Sequence, residues 1–235
     1  MQAIILTAGL GSRLKKFINY PKSLIKINDT QSIIERIVLQ LKSQGINEIY
    51  VVTGFKHELI KKELGKKVKY IYFKNFYKTN NLQTLLSVKN ILNKPSVCLF
   101  ADIIFDIKIL KKILLKKEDI VLAIKKGKIL KDTMRVKIKR KKIVDIGNQV
   151  KVENADGNFL GLAKFTKFGI KFLKKYLEKN KYNNKDYYTK AIVDMIKDNF
   201  TINYLDINKL FWKEIDTKKD LNSLNILGKW KKKYT

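Results

Sequence analysis

Apolar and polar positions follow a strand-then-helix rhythm through the first half of the chain. Residues 2–7 are a continuous apolar run that passes into Ala8-Gly9-Leu10-Gly11-Ser12, the pattern of a strand buried on both faces and ending in a loop. Residues 31–44 carry apolar side chains at 33, 34, 37, 38 and 41, a helical stripe stopped by Gly45. Residues 47–54 then read as strand, 57–64 as helix, 67–73 as strand, 80–92 as helix and 96–102 as a strand ending on a carboxylate. Such alternation predicts parallel βαβ units with right-handed crossovers.

After about residue 119 the pattern changes. Residues 119–124 are apolar, and 134–139 with 141–146 read as antiparallel strands or a hairpin around a basic turn. A strand over 159–165 follows, then helices over 167–179 and 186–198, a strand over 201–207 and a closing helix from 217 to 230 with Thr217 as N-cap. No repeat or low-complexity linker interrupts this order, so a single domain over 1–235 is expected. The predicted class is α/β, a Rossmann-like three-layer sandwich with a mixed central sheet and an antiparallel second half.

Composition narrows the function classes. With 45% hydrophobic residues in 235, a sizeable packed core is expected. The lone cysteine, Cys98, excludes an internal disulfide framework and fits a reducing compartment. No basic-then-apolar leader opens the sequence and every apolar stretch is broken before membrane-spanning length, so a soluble, cytoplasmic protein is expected, with no membrane partner. Lys and Arg number 51 against 21 Asp and Glu, a formal charge of +30. That excess fits nucleic acid or a small polyanion such as a nucleoside triphosphate. The lysines are scattered along the chain, with no stripe of interleaved aromatics, which argues against nucleic acid and for compositional drift. A basic nucleic-acid-binding protein stands as the rival class.

The turn after the first strand is the earliest candidate for chemistry. Gly9 and Gly11 let backbone approach a ligand closely, the N–H groups of such a turn cradle phosphate oxygens, and Arg13 adds a forked cationic donor. Alone, the turn is equally an ordinary strand-to-helix connection. It lacks the third glycine of a dinucleotide fingerprint and the Gly-Lys-Ser/Thr of a P-loop. A single lysine in so basic a chain is solvated by default, and Pro21-Lys22 gains meaning only from that company. Ala8-Gly9-Leu10-Gly11-Ser12-Arg13-Leu14, then Pro21-Lys22-Ser23-Leu24, then a helix and a strand ending in Val52-Thr53-Gly54, together resemble the sugar nucleotidyltransferase superfamily. These are pyrophosphorylase-like enzymes that activate phosphorylated metabolites.

The resemblance runs the length of the chain and implies a fold of the nucleotide-diphospho-sugar transferase type, with a nucleotide-binding half over 1–118 and an acceptor-binding half over 119–235. It implies transfer of a nucleoside monophosphate from an NTP, release of pyrophosphate, and Mg²⁺ as cofactor. Ala101-Asp102 stands where the family places a metal-binding aspartate, and Trp212-Lys213-Glu214-Ile215-Asp216-Thr217 is similar to the segment that carries the second. Two carboxylates remote in sequence can converge on one Mg²⁺, which takes few protein ligands. Leu6, Ala8, Gly9, Gly11, Ser12, Arg13 and Lys22 are the implied nucleotide contacts, with Arg13 and Lys22 also the catalytic cations.

Tyr77-Lys78-Thr79-Asn80-Asn81 resembles the motif of cytidylyltransferases acting on phosphocholine or 2-aminoethylphosphonate, which makes CTP the implied donor and adds Asn80 and Asn81 to its contacts. Gly157 to Leu162 is similar to a segment of phosphonate and inositol-phosphate cytidylyltransferases. The implied acceptor contacts are Phe159, Gly161, Tyr188, Trp212 and Glu214. The aromatics among them, with Tyr187, are expected to form a cage for an amine or quaternary ammonium group bearing a phosphate or phosphonate. Phe159 and Trp212 read equally well as core. A sugar-1-phosphate or polyol-phosphate acceptor is the alternative, and a homodimer is left open.

One departure matters. Many relatives carry a lysine after Ile-Gly in the second half, where this chain has Ile146-Gly147-Asn148, so Lys164 or Arg135 is expected to supply the missing cation. A glycosyltransferase would want a strand-end Asp-x-Asp, which Asp102-Ile103-Ile104 does not supply.

Overall fold

A computed structural model describes residues 1–130, 133–179 and 181–227, the last three of these by backbone only. The end of the closing helix expected over 217–230 lies outside the described residues. In chain order the elements are β1 (Gln2–Thr7), α1 (Ile33–Ser43), β2 (Glu48–Thr53), α2 (His57–Leu64), β3 (Lys69–Tyr72), α3 (Asn81–Leu86), β4 (Ser96–Phe100), β5 (Ile103–Phe105) and α4 (Ile107–Leu114). The second half adds β6 (Ile120–Lys126), β7 (Arg135–Lys139), β8 (Lys142–Gly147), β9 (Gly157–Phe165), α5 (Lys167–Lys179), α6 (Thr189–Lys197), β10 (Asn203–Asp206), β11 (Trp212–Glu214) and α7 (Lys218–Leu227).

Nine strands form one mixed sheet in which the path β10-β6-β9-β4-β1-β2-β3 runs edge to edge, with the β7–β8 hairpin branching from β9. β1 lies between β2 and β4, parallel to both, and all six of its residues are buried. A strand flanked on both edges and covered on both faces has no polar side, which explains its unbroken apolar run. Alternate residues feed two cores. Ala3 and Ile5 join the layer packed by α1, α2 and α4, while Ile4 and Leu6 join the layer packed by α3, α5 and α6. The three-layer expectation holds, and so does the antiparallel second half: β9 runs against both β4 and β6. The late strand β10 is the exception, parallel to β6 at the sheet edge.

Local signals set several boundaries. Ser32 caps α1 by accepting from the Glu35 amide at 3.2 Å. Thr217 and Asp220 cap α7 reciprocally: the Thr217 amide donates to Asp220 Oδ2 at 2.9 Å and the Asp220 amide to Thr217 Oγ1 at 3.3 Å. The β7–β8 hairpin turns on Arg140 and Lys141, both at positive φ, the backbone that matches the twist of the flanking strands. Two expected helices are shorter than their periodicity. The 80–92 run stops at Leu86 and resumes as a separate 3-10 turn at Lys89–Ile91, and α6 begins only at Thr189.

Candidate functional site

At the C-terminal end of the parallel strands a cavity of about 480 Å³ opens, the position open α/β sheets reserve for ligands. Its walls are the turn after β1, the 3-10 turn bearing Lys22, the loop before α3, the end of β4, and short stretches of the second half. Leu6, Ala8, Gly9, Gly11, Ser12, Arg13, Lys22, Asn80, Asn81, Asp102, Glu214 and Asp216 all line it. Phe159, Gly161, Tyr188 and Trp212 do not.

The glycine turn positions Lys22 directly. Gly11 sits at φ +60, and a Cβ there would come 3.0 Å from Lys22 Cγ and 3.1 Å from Cε, so the lysine stem lies across this glycine. A Cβ on Gly9 would meet nothing within 4 Å, so this glycine leaves open space on the cavity side. Thr7, at the end of β1, donates to Ser23 Oγ at 3.0 Å in a buried bond, tying the turn that carries Lys22 to the strand.

The two aspartates meet through a short ribbon that the sequence pattern does not predict. β5 and β11 pair antiparallel with Glu214 opposite Ile103. Asp102 precedes one strand and Asp216 follows the other, so both fall at the same end of the ribbon. The Ile215 amide donates to the Asp102 carbonyl at 2.9 Å and locks that end. Lys22 Nζ bonds Asp216 Oδ1 and lies 3.5 Å from Asp102 Oδ2, while Arg13 pairs with the other oxygen of Asp216. Glu214 completes the cluster. Burial and the charge of Asp102 push its carboxyl well above the ordinary carboxylate range, against the pull of Lys22 and Arg13.

This donor set fits a hard divalent cation held by few protein ligands. Two carboxylates already turn toward one cationic centre, the ammonium of Lys22, and Glu214 shows how much negative charge gathers there. Among the described residues no group of three or more His, Cys, Asp or Glu is arranged to hold a metal ion.

Several expected contacts need correction. Tyr188 and Phe159 are 0% and 2% exposed and pack edge-on behind Phe100, whose ring is the one that reaches the cavity. Trp212 is buried, its indole N–H donating to the Leu160 carbonyl at 3.1 Å across to β9. Gly161, at φ +77, is required by packing: a Cβ there would lie 2.5 Å from Phe100. The aromatic cage is therefore a core cluster, and of its expected members only Tyr187 lines the cavity, beside Phe76, Tyr77 and Phe100, which the cage expectation did not include.

Asn80 and Asn81 line the cavity but spend polar atoms on structure. Asn80 Oδ1 accepts from the Asn81 amide at 2.9 Å and its Nδ2 donates to the Lys185 carbonyl at 3.2 Å, while Asn81 Oδ1 accepts from the Tyr188 amide at 2.9 Å. Neither expected replacement for the missing lysine reaches the cavity. Lys164 Nζ is tied to the Lys116 and Glu118 carbonyls, and Arg135 to the Val150 and Asn148 carbonyls.

Comparison with known proteins bears on the family and the fold. The chain is 28% identical over 186 residues to CTP:phosphoglutamine cytidylyltransferase of Campylobacter jejuni, covering 71% of this chain and 73% of the relative. It is 41% identical over 133 residues to D-glycero-alpha-D-manno-heptose 1-phosphate guanylyltransferase of the same organism, covering 53% of this chain and 58% of the relative. Among solved structures, the inositol-1-phosphate CTP transferase from T. maritima superposes with a TM-score of 0.80 at 19% identity, over 100% of this chain and 97% of that one, a likeness of fold. Among the described residues no helix is long and apolar enough to cross a membrane. The MobA-like NTP transferase domain matches residues 3–132, the stretch that holds the glycine turn, Lys22 and Asp102, and the chain belongs to that nucleotidyltransferase family.

Proposed function

We propose that this nucleotidyltransferase moves CMP from CTP to a small phosphorylated or phosphonylated metabolite, with Mg²⁺ as cofactor. The observation that carries the reading is the meeting of Lys22, Asp102 and Asp216 beneath the glycine turn, on the wall of one cavity. An anionic oxygen of the acceptor attacks the α-phosphorus in line. The bond from that phosphorus to the α,β-bridging oxygen breaks, and pyrophosphate leaves with the bond's electrons. The nucleophile is already ionised, so no general base is needed, and the residues act by alignment and charge neutralisation.

The amides of residues 9–12 and the half-exposed Arg13 take the β- and γ-phosphates, and Lys22 takes an α-phosphate oxygen. Asp102 and Asp216 would hold the Mg²⁺, which would supply charge neutralisation at the phosphate oxygens. Lys22 and Arg13 both pair with Asp216 in this structure, so these pairs would have to open for Asp216 to hold an ion and for the two cations to meet phosphate.

The donor base rests on the cytidylyltransferase relative and on the Thr79-Asn80-Asn81 stretch. The guanylyltransferase relative favours GTP as the second reading. A pyrophosphate-release screen of four NTPs against phosphocholine, 2-aminoethylphosphonate, O-phosphoserine, inositol phosphate and sugar-1-phosphates decides between them. Turnover with CTP alone is the expected result. Turnover with GTP alone overturns the cytidylyl reading, and no pyrophosphate from any pair overturns the transferase reading.

A further inference from the structure

The second half of the chain contributes six described residues to the cavity wall: Met134, Asn148, Lys185, Tyr187, Glu214 and Asp216. One of these is a cation. Lys185 stands in an exposed segment between α5 and α6, and among the described residues its ammonium pairs with no carboxylate. The other cavity cations are otherwise engaged: Lys22 and Arg13 face the aspartates, and Lys78 lies 5.4 Å from the Tyr77 ring centre on the nucleotide half.

An exposed segment is normally free to move, yet this one is stitched to the loop before α3. The Asn80 amide donates to the Asn184 carbonyl at 2.7 Å, and the Asn80 side chain to the Lys185 carbonyl at 3.2 Å. The Asn81 side chain accepts from the Tyr188 amide, and the Asp186 carboxylate accepts from the Asn183 amide at 2.8 Å, which closes the turn on itself. Backbone on both sides of Lys185 is thus fixed while its side chain stays exposed on the wall. A solvated surface lysine needs no such anchoring; one that meets a ligand does.

The geometry points to Lys185 as the acceptor-side anion contact of this enzyme, the residue that selects an acceptor by a negatively charged oxygen. This rests on the transferase reading of the cavity. The oxygen belongs either to the acceptor's phosphate or to a carboxylate farther along it. In both cases a cation replaces the aromatic cage expected from the sequence, which the packing of Phe159, Tyr188 and Trp212 removes from this cavity.

The test uses the full chain and the variants K185Q and K185R. Pyrophosphate release is followed at saturating NTP with O-phosphoserine, which carries phosphate and carboxylate, and with phosphocholine, which carries no carboxylate. A charge-assisted hydrogen bond predicts that K185Q raises the acceptor KM about 10- to 100-fold, with the NTP KM and Tm unchanged. K185R restores the acceptor KM to within a few-fold. A rise for both acceptors assigns the contact to the phosphate, and a rise for O-phosphoserine alone assigns it to the carboxylate; either supports the inference. An unchanged acceptor KM, or an equal rise in the NTP KM, overturns it. If wild type turns over neither acceptor, the KM comparison is made with whichever acceptor of the wider screen is turned over. If no pair in that screen releases pyrophosphate, the transferase reading fails by itself, and calorimetric titration with O-phosphoserine still tests Lys185. Equal affinity for wild type and K185Q, or binding to neither, then defeats it.

Discussion

Gly11→Ala and Gly9→Ala, two changes of one methyl group in one turn, should move stability in opposite directions. At residue 11 the backbone is left-handed, which costs an L-residue about 1–2 kcal/mol. The new Cβ would also press on the Lys22 stem at 3.0 Å. The stem can yield, so the steric part is small for folding, but its ammonium then leaves its place between Asp102 and Asp216. For a chain of this size about 1–2 kcal/mol lowers Tm by roughly 2–8 °C. A cationic centre displaced by about 1 Å costs on the order of 10²-fold in kcat. Gly9 has an ordinary backbone and open space, so alanine there should add about 0.4–1 kcal/mol by restricting the unfolded chain. On the proposed reading its methyl would enter the space of the phosphates and should raise the NTP KM. Thermal melts and steady-state pyrophosphate release on both variants decide the matter. A Gly11→Ala protein with wild-type Tm and kcat would refute the account of how the turn holds Lys22.

Asp102→Asn and Asp216→Asn should each lower turnover about 10³-fold or more at saturating Mg²⁺ with Tm little changed, because the lost term is charge in the transition state; near-normal turnover in either excludes a shared ion. Tyr188→Phe should leave the acceptor KM unchanged and Tm unchanged or slightly higher, since the buried hydroxyl has no hydrogen-bond partner, and a raised KM would return Tyr188 to the binding site. Burial pushes the Cys98 thiol up to about 12, so at pH 8 native protein should resist thiol reagents and label only when unfolded. Rapid labelling of the native protein would contradict the placement of β4.

Long, strongly periodic segments were legible without a structure. The helix over 57–64 and the one over 167–179 begin and end where the spacing places them, because each apolar stripe has one face to bury and a clear stop. The short ribbon β5–β11 was not. Three residues carry too little periodicity, and the partner strand lies in the other half of the chain. The helix α4 that follows β5 was legible in principle: Asp106 caps it by accepting from the Lys108 amide at 2.8 Å, and Ile109, Leu110 and Ile113 share its buried face. The two aspartates came from the resemblance of their segments to a family, since no periodicity links residues so far apart; the structure brings both to the cavity wall beside Lys22. The aromatic contacts failed because a Phe, Tyr or Trp beside a strand looks the same whether its ring turns to a ligand or to the core. Asn80 and Asn81 do line the cavity, but only the structure shows which of their atoms are already spent on the 183–188 segment. Lys185 carried no signal beyond being one lysine among many.

The ribbon that joins Asp102 to Asp216 also gives the protein a built-in order of completion. Lys22 and Asp216 are 194 positions apart, so the glycine turn, the lysine and the first aspartate all leave the ribosome long before the second aspartate exists. The stretch that matches the family pattern, 3–132, carries the parallel strands β1 to β4 and Asp102, but not β9, α5 and α6, which complete their sheet and one of their two cores, nor Glu214 and Asp216. A nascent chain that ends before Trp212 therefore lacks Glu214 and Asp216, two of the three carboxylates on the cavity wall. A ribosome-stalled chain ending before Trp212 should be silent in the pyrophosphate assay, and one long enough to expose α7 should not be. On the proposed reading of the site, turnover would begin only once the last described strand is in place.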